Sequence, residues 1–394
     1  MSSRLVPTDG PLIDLDRARR VIRAAGLDGI VASSMRNVFY LSGHSYFDHL
    51  IEPESIAFAV LPADAGRPSH VTVSSSERYV EEDFPVWASS RVLYGSYYVK
   101  NGPPAGEHAP GAVEAAVAAL HAAGLEHGRV GWELDLLPVN VRERIAAALP
   151  AMRMEDGTAA FKELRMLKTP REVARVRRAT EITEEAIEEA FARIRVGVTE
   201  DQISRWIGEG IVQRGAEPLY VQVGTNGRGA LGVSYPTARR VQAGDVIRTD
   251  VAAVYGHYTS DLGRCCVVGA PSSEQAAYYR VAYEALQAAM DAVGPGRTVR
   301  EVFDAGVAVP RAAGYADFQR HHVGHGIGLQ AHEWPFLKPS SAETIRPGMV
   351  LAIEVPYYVY GLGGFSPEDI LVVTDRGAEP FSRAPSTLPV VGDV

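Results

Sequence analysis

A chain of 394 residues with 46% hydrophobic, 22% charged and 8% aromatic side chains has the composition of an ordinary folded protein and is long enough for two domains with separate cores. Its formal net charge of −9, without a long run of Lys and Arg, argues against a nucleic-acid partner. No stretch approaches the roughly 18 uninterrupted apolar residues of a membrane span, and MSSRLVPTDG lacks the apolar core of a secretory signal, so a cytoplasmic protein with no membrane association is expected.

DLDRARRVIRAAG, residues 14–26, opens with capping aspartates, sets Ala18, Val21, Ile22 and Ala25 at helical spacing and stops at Gly26, which predicts a helix. DGIVASS, NVFYLSG, SIAFAVLP, HVTVSS and RVGWE then follow as short apolar runs bounded by turn residues and read as strands of an α/β layer. NGPPAGEHAPG, residues 101–111, reads as a surface loop. At Thr158 the pattern changes to a long helical block in which Pro170 can open a second helix, so the domain boundary is placed at 157/158, giving domains 1–157 and 158–394.

After a further helix, TEDQISRWIGEGIVQRG, come the strand-like runs LYVQVG, DVIRTDVAAVYG, RCCVVG, MVLAIEVPYYVY and DILVVT. Two helical stretches, residues 273–293 and 298–314, interrupt them, so the second domain is expected to be α+β. The only cysteines, Cys265 and Cys266, are adjacent, which rarely permits disulfide geometry, and they read as buried thiols in a reducing compartment.

Charges inside apolar runs carry the chemistry. Asp250 lies within VIRTDVAAV, Asp261 just before LGRCCVV, Glu354 within VLAIEVPYY and Glu368 just before DILVV. A carboxylate in such a place needs a partner, because burying it unpaired costs several kcal/mol, about 3–5 by analogy with broken buried pairs. Four carboxylates and one imidazole suit two divalent cations and a bridging water whose pKa falls to roughly 7. HHVGHGIGLQAHEWP, residues 321–335, holds four of the eleven histidines of the chain.

In this order and spacing the residues resemble the pita-bread metallohydrolases, the superfamily of prolidase, aminopeptidase P, methionine aminopeptidase and creatinase. TDVAAVYGHYTSDLGR is similar to the family's aspartate strand pair, GHGIG to its histidine motif, AIEVP to its first glutamate and GGFSPED to its second. FKELRMLKTPREVARVRRA resembles the helix that opens the catalytic domain of the prolidase branch, and the first 150 or so residues resemble that branch's amino-terminal domain.

The resemblance implies an α/β amino-terminal domain plus an α+β pita-bread catalytic domain of creatinase/aminopeptidase type, with two divalent metal ions per chain, Mn first and Zn, Co or Fe as alternatives. It implies that Asp250 binds one metal, that Asp261 and Glu368 bridge both, and that His325 and Glu354 complete the other, with Glu354 also shuttling protons. It implies substrate contacts at His321 and His332; Trp334 and Tyr235 are further candidate contacts. His322 matches no family position and reads as an ordinary packed or exposed histidine. The branch also implies a homodimer whose amino-terminal domains close the partner's site, which makes His44, Phe47 and His49 of SGHSYFDH candidate contacts.

Two positions depart from the proline-specific pattern. Where those enzymes carry a histidine the chain has Val233, Ser234 and Tyr235, and where they carry an arginine two residues before the last glutamate it has Ser366. Two enzymatic functions therefore stay open, cleavage of a small Xaa-Pro peptide and hydrolysis of a non-peptide C–N bond in a small N-substituted amino acid or amide, as in creatinase and ectoine hydrolase. A non-catalytic pita-bread binding protein is a third, disfavoured by the full ligand set.

Overall fold

The chain folds as two compact units that divide between Arg165 and Met166. The computed structural model describes residues 10–45, 55–78, 86–97, 100 and 108–392. The division lies beyond 157/158 because the helix Thr158–Met166 goes with the first unit, where Leu164 O accepts from Tyr40 Oη and Arg17 Nη2.

In the first unit a helix at Leu15–Ala24 is capped by Asp14, whose side chain accepts from Arg17 N, and it buries Ala18 and Ile22. The strands are β1 (Gly29–Ala32), β2 (Ala59–Pro62), β3 (His70–Ser74), β4 (Ser90–Tyr94), β5 (Arg129–Trp132) and β6 (Arg153–Asp156), ordered β4-β3-β2-β1-β5-β6 in one mixed sheet. Phe58 and Trp132 meet edge to face with ring centroids 6.2 Å apart, with Val31, Val60, Leu120 and Ile145 in the same core. The run NVFYLSG is not a strand as expected. It lies in a helix, Met35–Ser42, which Ser34 caps by accepting from Asn37 N and Gly43 ends at φ +82°. A short, fully buried apolar run carries no period that separates the two.

Glu133 shows how this unit satisfies a buried carboxylate. It accepts from Ser33 N, Ser34 N, Ser34 Oγ and Asn37 Nδ2, all between 2.7 and 2.9 Å. Of the loop read at 101–111, residues 101–107 lie outside the described residues, as do Phe47 and His49. His44 is buried in this unit, with Nε2 3.3 Å from Glu77.

The second unit is α+β. Its helix Pro170–Phe191 starts at a reciprocal cap between Thr169 and Glu172 with Pro170 in the first turn, and helices Glu200–Gln213, Ser273–Ala292 and Val299–Ala312 open with the same device. Strands β7 (Glu217–Thr225), β8 (Val246–Tyr255), β9 (Tyr258–Thr259) and β10 (Leu262–Val268) form one sheet, joined at its edge by a later strand. Strands β11 (Gly324–Gly326), β12 (Glu333–Phe336), β13 (Val350–Glu354), β14 (Tyr357–Val359), β15 (Gly363–Phe365), β16 (Glu368–Thr374), β17 (Gly377–Pro380) and β18 (Val390–Val391) follow. A second sheet runs β12-β11-β13-β16-β17, β14 pairs with β15, and β18 completes β18-β10-β8-β7. Leu286, Val302, Leu351, Ile353 and Leu371 are among the residues that bury the helices against the second sheet. Cys265 and Cys266 are buried free thiols, and burial pushes Cys265 up to about 11.

Candidate metal centre

Two triads of candidate ligands share Asp261: Asp261 with His325 and His332, and Asp261 with Asp250 and Glu368. Strand register produces this. Asp250 sits mid-way along β8, opposite Gly263 on β10, while Asp261 ends the turn just before β10. A Cβ at Gly263 would collide with the Ser366 carbonyl, so the glycine is what lets the next segment of chain lie against this floor. Glu354 closes β13 directly opposite Glu368, the first residue of β16. His325 pairs with Ala352 from the neighbouring strand β11, and Gly324 beside it takes φ +144° where a Cβ would strike the Ala352 carbonyl.

The electrostatics are those of ligands crowded together. Burial first, then neighbouring carboxylates led by Asp250, raises the Asp261 carboxyl well above its ordinary range. Burial and then Asp261 do the same to Glu368, and burial is also the leading cause that raises Asp250, against Arg248. Divalent cations reverse that balance by stabilising the ionised forms. His325 is fully buried and pushed down to about 3, first by burial and then by His332, so it is neutral. Its Nδ1 lies 3.1 Å from Gly326 O, which fixes that nitrogen as the donor and leaves Nε2 with a lone pair, 3.9 Å from Asp261 Oδ2. That is the tautomer a metal requires, and the approach to Asp261 is therefore no charge pair.

Supporting contacts surround the carboxylates. Tyr220 Oη donates to Asp261 Oδ1 at 2.6 Å, and burial followed by Asp261 raises its phenol well above the usual value. Arg248 Nη2 donates to Asp250 Oδ2 at 2.6 Å, and Gln222 Nε2 reaches the same oxygen at 3.4 Å. Arg320 Nη2 lies 3.4 Å from Glu354 Oε2. Unlike Glu133, both of whose oxygens accept hydrogen bonds, Asp261 accepts at Oδ1, Asp250 at Oδ2 and Glu354 at Oε2, which among the described residues leaves the second oxygen of each for a further partner.

The other expected contacts divide. His332 stacks on His325 with ring centroids 3.9 Å apart, and its Nε2 is 3.8 Å from Asp261 Oδ2 on a side chain 53% exposed. His321 is exposed, its ring 4.2 Å from that of His322. His322, read from sequence as an ordinary histidine, is buried 5.9 Å from the His325 ring. Burial, then His321, pushes it down to about 3, and its Nδ1 accepts from Gly324 N, so its 3.4 Å approach to Glu354 joins two acceptors rather than an ion pair. Trp334 packs edge-on against Phe336 at 5.2 Å, and Phe336 is 6.3 Å from His332. Tyr235 is exposed, and its carbonyl accepts from Arg228. Ser234 is spent on Arg228 O and Gln222 Oε1, and Ser366 N donates to Cys265 Sγ.

Sequence reasoning passed over Tyr220, Gln222, Arg248 and Arg320, and also Tyr358, whose ring centroid lies 5.2 Å from the Arg248 guanidinium carbon and 5.6 Å from that of Arg320. Arg248 carried the signal that revealed Asp250, a charge inside the apolar run VIRTDVAAV, two residues away on the same face of β8.

The pita-bread fold of the second unit and its carboxylate and histidine cluster define a candidate metal centre carried by that unit. Residues 174–375 match metallopeptidase family M24, and residues 15–167 match the creatinase/prolidase N-terminal domain. The chain belongs to the M24 family. It is 33% identical over 225 residues to an Xaa-Pro dipeptidase of Pyrococcus furiosus, an alignment spanning 57% of this chain and 65%, just under two thirds, of that relative. Dipeptidase PepE from Mycobacterium ulcerans superposes with a TM-score of 0.78 at 28% identity, covering 96% of this chain and 97% of its own. An Xaa-Pro dipeptidase from Bacillus anthracis superposes with a TM-score of 0.81 at 24% identity, covering 96% and 99%, a likeness of fold.

Proposed function

We propose that the chain is a dinuclear metal-dependent hydrolase that cleaves an amide C–N bond in a small peptide, on the pattern of the Xaa-Pro dipeptidases it is similar to. The observation that carries this is the sharing of Asp261 between two ligand triads, with Glu354 and Glu368 in direct register beside them. Asp250 would serve one cation, His325 and Glu354 the other, and Asp261 and Glu368 both. When bound, the cations would supply a water acidic enough to attack near neutral pH. Glu354, at the edge of the cluster, would be the residue that accepts a proton and hands it to the leaving nitrogen. His332, exposed beside Asp261, meets the substrate, with His321, Trp334 and Tyr235 further out. A donor set of four carboxylates and one imidazole favours Mn over thiophilic metals. We place the protein in the cytoplasm as a homodimer; among the described residues no helix is long and apolar enough to cross a membrane.

A second reading, hydrolysis of a non-peptide C–N bond in an N-substituted amino acid or amide, is supported by Ser234, whose hydroxyl donates to Arg228 O, and by Ser366, a serine where the proline-specific pattern has an arginine. Assays of Xaa-Pro dipeptides, longer Xaa-Pro peptides and small N-acyl or N-carbamimidoyl amino acids with Mn, Co and Zn decide between them. Peptide kcat/KM of about 10⁴ M⁻¹s⁻¹ or more establishes the peptidase, and a metal-loaded, folded protein inert on every peptide overturns it.

A further inference from the structure

His332 has to be held in place without a hydrogen bond of its own. Its ring stacks on His325 with centroids 3.9 Å apart and its Nε2 approaches Asp261 Oδ2 at 3.8 Å, and among the described residues neither ring nitrogen is within hydrogen-bond reach of a partner. The direction of the ring is therefore set by the backbone on either side of it.

That backbone is fastened by the next residue. Glu333 Oε1 accepts from Gln330 N at 3.0 Å, which closes the chain around His332, and Glu333 Oε2 lies 3.3 Å from Lys168 Nζ. Both side chains are almost wholly buried, 1% exposed for Lys168 and 4% for Glu333. Gly328 makes room for the pair, since a Cβ there would stand 2.9 Å from Lys168 Cε and 3.0 Å from Glu333 Oε2. The Gly328 carbonyl accepts from Thr259 N at 2.7 Å and from Thr259 Oγ1 at 3.1 Å, two residues before Asp261, so the same segment is tied to the strand that leads to the shared ligand. Lys168 is itself fixed: its N–H donates to Gly348 O at 2.8 Å, and the next residue, Thr169, caps the helix Pro170–Phe191. All of these residues belong to the second unit.

A buried ion pair contributes little to stability, because desolvating two charges offsets their attraction, and apolar residues of similar volume often serve as well. What the charged pair supplies and an apolar pair does not is direction. A carboxylate with one oxygen on a backbone N–H and the other beside an ammonium is held in a single orientation. We infer that Lys168 and Glu333 are positioning residues, a buried clasp that fixes residues 328–333 so that His332 faces the scissile bond. This rests on the hydrolase reading above and adds to it two residues that act through His332 rather than on metal or substrate.

The test is a double-mutant cycle on the full-length Mn-loaded protein, with metal content and melting temperature measured for each variant. Glu333→Gln and Lys168→Met are each expected to lower kcat for Ala-Pro about 10- to 100-fold, with KM changed less than about threefold and metal content intact. In the His332→Ala background the same substitutions are expected to cost less than about threefold more, since the group they position is gone. The paired variant Lys168→Met with Glu333→Leu, which leaves no unpaired charge, is expected to melt close to the wild type yet keep the loss in kcat, and it carries the test if the single variants fail to fold. Hydrogen exchange of the peptide 326–336, read by mass spectrometry without substrate, is expected to accelerate about tenfold or more in the variants. A full loss repeated in the His332→Ala background, loss of metal, wild-type turnover in the paired variant, or unchanged exchange would overturn the clasp. If the wild type cleaves no peptide, the peptidase reading falls and exchange alone decides the clasp, which stands if the variants exchange faster and falls if they do not.

Discussion

Glu354 and Glu368 are direct cross-strand partners, one closing β13 and the other opening β16. Like charges so placed repel, and Glu368 is also buried. The register is thus unfavourable while both groups are ionised and is relieved by positive charge between or beside the pair, or by a proton on Glu368. Removing the shared ligand by Asp261→Ala or Glu368→Ala is expected to abolish binding of both metals, so that elemental analysis falls from up to two divalent ions per chain towards none. Retained metal and activity in these variants would show that the ligands are misassigned.

The raised carboxyls set a pH dependence. In chelator-treated protein Asp250, Asp261 and Glu368 titrate higher folded than unfolded, so between the two values the folded state binds more protons. Their contribution to stability is complete below the ordinary carboxylate range near 4 and is lost as pH rises through the folded values. The melting temperature of the metal-free protein is expected to fall from pH 5 to pH 8, whereas adding Mn should restore it most at the higher pH, because binding releases the same protons. A metal-free protein that melts higher at pH 8 than at pH 5 would contradict the crowded-ligand picture.

The two outer histidines separate by exposure and contact. His332→Ala removes an imidazole stacked on His325 beside Asp261, and turnover is expected to drop about 10²-fold with metal content intact. His321→Ala, at an exposed position beside His322, is expected to cost less. Steady-state kinetics paired with metal analysis read both, and loss of metal in His332→Ala would make His332 a ligand.

Tyr220→Phe deletes the 2.6 Å hydrogen bond to Asp261 and nothing else of that ring. Weakening of metal affinity by about 10- to 100-fold is expected, with the cation count at saturation unchanged. Titration with Mn against a competing chelator measures it; an unchanged affinity would mean that Tyr220 does not orient Asp261.

Much of this could be read in the sequence because buried charge is legible there. Asp250 and Glu354 stand out within apolar strands, and the capped helix beginning after Thr169 announces itself through Pro170 and Glu172. What the sequence hides is direction. His321 and His322 are adjacent and chemically alike, and only the fold turns His322 inward and leaves His321 outside. Arg320 stands one residue before the histidine run and Tyr358 four after Glu354, but nothing in their order shows that they turn towards the cluster, and Gln222 comes to it from β7. The helix Met35–Ser42 was lost for another reason, an apolar stretch too short and too evenly buried to show a period.

The glycine facing Asp250 has a meaning for the adaptability of the protein. With Ser366 O lying where a Cβ at Gly263 would be, no side chain can be grafted onto the floor without displacing the backbone that carries Glu368. Leu231, Val233, Tyr235 and Tyr360 are the opposite case, exposed apolar residues whose replacement disturbs no core. The scaffold is therefore open to variation at such surface positions, while its base behaves as a single casting that tolerates no revision.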